Sequence, residues 1–269
     1  MLRGTLIGAV AGIVALAGVS GTAQAQQYNW NGIYVGGEAG GGWGRSDSTF
    51  LGDNACPFDS NGNPNPTCTY VNANLNNQGG PRPVGISGGL GGLNLGYLHQ
   101  SGGLVLGLTG SYDWGKISGS EQIHETPDRF TSVDVKSLAL LNGKIGVANG
   151  PWLAYATGGV AWGQLDVSHY GTCNNQAFCQ TFSQDGSATR TGWDAGGGVA
   201  YALTNSVIVG VEYNHINLGK ATIDQAETVN TGKPDSYFQR REYDPAIDVV
   251  KATLTYHFDT DRSSPAPLK

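Results

Sequence analysis

Apolar and polar side chains alternate along most of this chain, most densely from Thr191 to Gly219. Trp193, Ala195, Gly197, Val199, Tyr201 and Leu203 share one parity, and Val207, Val209, Val211 and Tyr213 share one beyond a short polar break at Thr204-Asn205-Ser206. The opposite parity carries Asp194, Gly196, Gly198, Ala200, Glu212 and Asn214. A period of two sends successive side chains to opposite faces, which predicts strands, and the break joins them as a hairpin. One face is apolar with aromatic ends; the other is small, polar and charged. A soluble sandwich would turn the apolar face inward, a membrane barrel outward.

Six further segments follow the same rule and bring the count to eight. Besides the two hairpin arms they are Asn31 to Gly44, Arg82 to Tyr97, Leu104 to Trp114, Val133 to Val147, Trp152 to about Val167, and Asp248 to Phe258. In the second, Val84, Ile86 and Leu90 lie on one parity and Leu93, Leu95 and Tyr97 on the other, which predicts a β-bulge near the intervening glycines. In the fourth, Val133, Val135, Ala139, Leu141, Ile145 and Val147 are read as one face.

The connections decide the class. His99 to Gly103, Asn149 to Pro151 and Thr204 to Asn205 are brief, whereas Arg45 to Pro81, Ile117 to Phe130, Tyr170 to Ala188 and Lys220 to Tyr243 are long and polar. Strict alternation of long and short links is the pattern of an outer-membrane barrel with short periplasmic turns and long outer loops. Trp43, Trp114, Trp162 and Trp193 fall toward the outer strand ends, and Trp30 and Trp152 toward the inner ends with Tyr97, Tyr201, Tyr256 and Phe258. Two such rings suit the two membrane interfaces. The expected fold is all-β: an eight-stranded antiparallel up-and-down transmembrane β-barrel.

Composition agrees. Glycine supplies 43 of 269 residues and charged residues only 13%. Residues 1-25 read as a signal peptide, with Arg3, an uncharged apolar run from Leu6 to Val19 and a small-x-small site at Ala23-Gln24-Ala25. The barrel is placed at 26-258 and a flexible periplasmic tail at 259-269. Losing the leader moves the formal charge from −6 to −7, and an acidic chain without a basic stripe argues against nucleic acid. Cys56 and Cys68 share one long loop, and Cys173 and Cys179 another. An even count in an exported chain points to disulfides; local pairing, Cys56–Cys68 and Cys173–Cys179, is favoured over the other two connectivities, and the spacings match no metal motif.

Trp30-Asn31-Gly32-Ile33-Tyr34-Val35-Gly36-Gly37, Gly192-Trp193-Asp194-Ala195-Gly196-Gly197-Gly198-Val199, and Val211-Glu212-Tyr213 running on to Leu218-Gly219 resemble the small outer-membrane β-barrel proteins of alphaproteobacteria. These are porin-family barrels similar to outer-membrane protein A, among them surface antigens and haemin-binding members. The resemblance implies a porin-like or structural role in the cell outer membrane of a Gram-negative bacterium. It implies contact with membrane lipid and lipopolysaccharide, and insertion by the barrel-insertion machinery. Such barrels end on an aromatic residue; Phe258 suits that place, though eleven residues follow it.

Parity directs Glu38, Asp113, Asp134, Lys136, Lys144, Asp194, Glu212 and Lys251 inward. Counting from the inner end predicts a barrel-interior cluster of Glu38, Lys251 and Glu212, with Lys144 a further member nearer the periplasm. It either satisfies itself in a packed interior or gates a narrow water path. Three other chemistries are open to these residues. An enzyme site at the outer rim would use His215 with Asp166 and Asp194, and Gly85-Ile86-Ser87-Gly88-Gly89 matches a nucleophile-elbow pattern without its strand–turn–helix setting. Haemin or a host surface ligand would use loop residues such as His124, His169, Tyr70, Tyr170 and Tyr237. Lys233, Arg240 and Arg241 could meet anionic headgroups. The expectation is a protein that is not an enzyme and needs no cofactor or metal.

Overall fold

The computed structural model describes residues 28–53, 71–72, 82–122, 129–171, 182–229 and 234–259. The expected leader, all four cysteines, His124, Tyr70, Lys233 and the tail beyond Asp259 lie outside the described residues.

Ten antiparallel strands follow in chain order: β1 (Gly32–Asp53), β2 (Val71–Asn72), β3 (Arg82–Ser101), β4 (Leu104–Gln122), β5 (Arg129–Asn149), β6 (Trp152–Gly171), β7 (Phe182–Ala202), β8 (Val207–Asn217), β9 (Ala221–Val229) and β10 (Pro234–Asp259). Each long strand pairs with its neighbours in sequence, and β1 closes the ring against β10 from Gly32↔Asp259 to Asp53↔Gln239. The ring has eight places. β8 and β9 share one of them: the chain breaks after Asn217, whose side chain accepts a hydrogen bond from the Gly219 amide, and β9 resumes the pairing with β7 and β10. β2 adds a short pair at the end of β1. The inner turns are tight. Gly102 and Gly150 adopt positive φ there, and Thr204 Oγ1 accepts from the Ser206 and Val207 amides.

The outward face is apolar over a limited height. Leu95, Leu108, Val147 and Leu254 are each about 60% exposed, an arrangement water would penalise and acyl chains favour. On β6 this belt runs from Trp152 to Trp162, about 33 Å along the strand, or about 25 Å across the membrane at the usual barrel tilt.

Past the outer tryptophans the strands continue, and their polarity inverts. Val84 and Ile86 of β3, Val133 and Val135 of β5, Leu165 and Val167 of β6, and Tyr243 and Ile247 of β10 point into the ring and pack in one apolar cluster. On the same stretches the outer wall carries the ion pairs Arg45–Asp47, Lys116–Asp134, Lys136–Asp166, Lys220–Glu242 and Arg240–Asp224. Each of the four expected long loops is therefore partly strand: the barrel projects from the bilayer with a water-facing wall and an apolar filling.

This inversion corrects two expectations. The phase change within β3 is not a bulge, because even positions face inward from Val84 to Leu98 and the register against β1 runs without a shift. The chain simply passes from the water-facing collar into lipid. The irregularities lie instead between β4 and β5, at Trp114/Ile117, and between β5 and β6, at Val135/Ser137. Lys136 is the extra residue against β6, so Val133 and Val135 turn inward while Asp134 and Lys136 turn outward, opposite to the expected parity.

Candidate functional site

Between the outer apolar cluster and the inner mouth lies a polar layer. Lys251 of β10 is almost fully buried and donates to Glu38 Oε1 of β1 at 2.5 Å and to Asp113 Oδ2 of β4 at 3.1 Å. Asn94 Nδ2 of β3 donates to the second Glu38 oxygen at 2.7 Å. Across the lumen, Glu212 of β8 accepts from Tyr155 Oη at 2.9 Å and from Asn214 Nδ2 at 2.8 Å, and Lys144 Nζ lies 3.7 Å from it and 4.0 Å above the Tyr155 ring. Asp194 of β7 accepts from Asn142 Nδ2 at 2.7 Å. Charged groups so enclosed persist when paired and hydrogen-bonded, which these contacts supply for Glu38, Lys251, Glu212 and Lys144, whereas Asp113 Oδ1 and Asp194 Oδ1 are buried without a protein partner.

The four residues anticipated for the interior cluster fall into two groups. Lys251 stands directly opposite Glu212 in the β8–β10 register, yet its ammonium is turned to Glu38 and Asp113, and Lys144 takes the place beside Glu212. Parity directs Asp113 inward but does not show that it joins the cluster. The register carries the missing signal: Glu38 pairs with Gly92, and Gly92 with Asp113, so the two carboxylates share one rung.

Apolar side chains flank the layer on both sides. Inward from it, Trp30, Tyr34, Leu98, Val105, Leu153, Ala200, Ala202 and Ile208 fill the periplasmic mouth. Trp30 is 1% exposed, so it is no member of the inner aromatic ring; its amide donates to Gln100 Oε1 at 2.9 Å, and its indole packs edge-on against Tyr28. Trp43, Trp114, Trp152, Trp162 and Trp193 do face outward. Outward from the layer, Leu138, Leu140, Ala161 and the collar cluster fill the lumen. A cavity of about 50 Å³ remains, bordered by Tyr34, Glu38, Asn94, Asn142, Lys144 and Tyr155 among others, enough for a few waters.

The other sequence candidates do not converge. His215 Nδ1 lies 2.9 Å from Asp248 and not beside Asp166 or Asp194; Asp166 pairs with Lys136 on the outer wall, and Asp194 is inside the lumen. The Gly85 to Gly89 pattern lies wholly within β3. His169 is a buried, inward residue of β6 with its Nδ1 3.1 Å from Thr131 Oγ1, not a loop residue open to haem. Tyr170 faces outward and stacks on Phe130, and Tyr237 belongs to β10. Arg240 reaches Asp224 on the outer wall, whereas Arg241 is buried inside. On the collar, Glu242 hydrogen-bonded to Lys220, and Asp166 to Lys136, hold those ammoniums above the usual lysine value.

Residues 11–258 match the model of the Outer membrane protein beta-barrel domain. The chain belongs to that family. Its relatives include the 31 kDa outer-membrane immunogenic proteins of Brucella melitensis and Brucella suis, each 26% identical over 199 residues that cover 73% of this chain and 74% of the relative. Among solved structures the outer membrane protease OmpT of Escherichia coli superposes with a TM-score of 0.51 at 10% identity, covering 87% of this chain and 99% of that one, a likeness of fold alone. OprG of Pseudomonas aeruginosa gives a TM-score of 0.42 at 11% identity, with the same coverages. This outer-membrane barrel thus resides in a Gram-negative outer membrane, among its lipids and lipopolysaccharide.

Proposed function

We propose that this protein is a closed, surface-displaying barrel: a structural element of the outer membrane that holds its outer loops clear of the bilayer, and not a diffusion pore. The observation that carries this is the filling of the lumen, with the collar cluster outside the polar layer and the Trp30 cluster inside it. Eight strands leave an interior just wide enough for side chains, and here large apolar ones occupy it at two levels. The Brucella relatives are named as immunogenic outer-membrane proteins, in keeping with display at the cell surface.

The loops would be braced by the Cys56–Cys68 and Cys173–Cys179 disulfides, a reading supported by the even cysteine count in an exported chain. Peptide mapping without reductant identifies the linked pairs, and a link between the two loops would overturn it. Phe258, which faces lipid at the end of β10 beside Ile33 of β1, serves as the aromatic terminus read during insertion.

The test of the closed barrel is electrical. Refolded protein in planar bilayers is expected to give no steady open-channel current and no swelling of liposomes in small sugars. A stable ohmic conductance in the wild type would overturn the reading.

A further inference from the structure

Between β7 and β9 the wall has a seam, bounded by strand pairing at both ends. β7 pairs with β8 from Trp193↔Asn217 to Ala202↔Ile208, and with β9 from Phe182↔Val229 to Asp185↔Ala226. From Gly186 to Gly192 its partners lie on β6 alone, and Ala221 to Gln225 of β9 pair with β10 alone. The seam follows the chain break after Asn217, where Leu218 is buried inside the ring and lies over Gly163 of β6.

Arg190 stands on this unpaired stretch. Ser187, Thr189 and Thr191 are exposed on the outer wall, so alternation turns Arg190 inward beside Ala188. The side chain is half-buried. Its Nε is enclosed without a hydrogen-bond partner, and no carboxylate among the described residues forms an ion pair with it. The inward residues on the neighbouring rungs, Leu138, Leu165 and Leu218, are at most 3% exposed, so the lumen offers its guanidinium no water. The acids along this side are engaged elsewhere. Asp194, four residues further in on β7, accepts from Asn142; on the outer wall Asp224 holds Arg240, Glu242 holds Lys220, and Asp185 accepts from Ser183.

A guanidinium is always charged, and an enclosed charge without a partner is costly. The level of the seam shows what can meet it. Arg190 lies three residues outside Trp193 of the outer aromatic ring, about 10 Å along the strand and about 8 Å in height at the usual barrel tilt. Beyond the hydrocarbon, the headgroup layer is about 5–8 Å deep. The seam therefore opens where the phosphates of outer-leaflet lipid lie, and the planar fork of a guanidinium matches phosphate oxygens.

We propose that Arg190, directed outward through the β7–β9 seam, holds a phosphate group of lipopolysaccharide and so fixes one lipid on the wall beside Trp193. The hydroxyls of Thr189 and Thr191 on the outer lip supply further donors. The proposal goes beyond the closed-barrel reading and does not depend on it, since a conducting barrel could carry the same lipid.

The experiment refolds the full chain into a neutral detergent and follows the loss of heat-modifiable gel migration with temperature, in the presence of lipopolysaccharide, dephosphorylated lipopolysaccharide or inorganic phosphate. The expected result is a midpoint several degrees higher with lipopolysaccharide, saturating with concentration, and no shift with the other two. Arg190→Gln should raise the half-saturating concentration about tenfold. Arg45→Gln, at a guanidinium that already has Asp47 and stands on β1, should leave it unchanged. Should Arg190→Gln not refold, native mass spectrometry of the wild type decides: the barrel should retain one phosphorylated lipopolysaccharide and none of the dephosphorylated form. Equal responses to the phosphorylated and dephosphorylated lipid, the same shift with inorganic phosphate alone, or an Arg190→Gln response equal to that of the wild type or of Arg45→Gln would each overturn the proposal.

Discussion

Glu38 and Asp113 stand on one rung of the barrel wall, two strands apart, with only Gly92 between them. Adjacent strands are about 4.8 Å apart, so residues two strands away are beyond ordinary side-chain contact. They meet here, through the ammonium of Lys251, because the strand between presents no side chain. The arrangement repeats around the lumen: Asn142 reaches Asp194 across Gly159, and Tyr155 reaches Glu212 across Gly198. The abundance of glycine in the sequence thus has a steric reason on the inward face.

Gly92→Ala and Gly91→Ala should therefore differ sharply. A Cβ on Gly92 would lie 2.3 Å from the Tyr112 carbonyl oxygen and 2.4 Å from Asp113 Oδ1, whereas one on Gly91, facing lipid, meets nothing closer than the Glu38 carbonyl at 3.4 Å. The first substitution should cost about 1–3 kcal/mol by overpacking. The second should be neutral or stabilise by up to about 1 kcal/mol, since it restricts the unfolded chain. Urea unfolding in lipid vesicles checks the pair; equal stabilities would contradict the packing argument.

Lys251→Met should destabilise the barrel by roughly 3–5 kcal/mol, the usual consequence of leaving buried partners without their counter-charge. Adding Glu38→Gln and Asp113→Asn to the same chain should recover part of that loss, because no carboxylate is then left uncompensated. The comparison uses the same unfolding assay. A single variant as stable as the wild type would mean that water reaches Glu38 and Asp113 freely.

The ring, its strand order and its inner turns were legible in the sequence because a membrane wall enforces a strict period of two and short turns punctuate it. Two things were not. Parity assigns a face but not the chemistry beyond the bilayer, so the apolar inward residues Val84 and Ile86 looked like a fault in β3 rather than a change of surroundings. Nor does parity survive a one-residue bulge: the extra Lys136 moved Asp134 to the outer wall. Of the interior cluster, alternation supplied membership of the inward face. The choice of partner for Lys251 depends on rotamers and on Gly92, which only register reveals.

Trp30 offers an optical check on which aromatics face lipid. Five tryptophans are exposed on the wall, and Trp30 is enclosed behind Tyr28 in the inner mouth. In vesicles of brominated phospholipid, a variant retaining Trp30 as its one tryptophan should keep its fluorescence, whereas one retaining Trp152 should be strongly quenched. Quenching of Trp30 to the same extent would place it in the interface ring and leave the periplasmic mouth open.

The inversion of polarity at the outer aromatic ring makes the strictest demand on the fold, since one strand must obey opposite rules on its two halves. On β5, Val135 is buried in the collar while Leu141, six residues further, is exposed to lipid. Val135→Asp puts an unpaired carboxylate into an apolar cluster and should prevent the collar from packing, even though the position lies outside the bilayer. Leu141→Ser instead places a small polar group in the acyl region, a milder change that still opposes the lipid-facing pattern. Limited proteolysis of intact cells separates the two. The Val135 variant should be cut within the collar while its membrane portion stays protected, and the Leu141 variant should keep a resistant collar and lose stability of the barrel as a whole. If Val135→Asp left the collar as resistant as in the wild type, that stretch would be hydrated inside, and the outer closure of the lumen would have no physical basis.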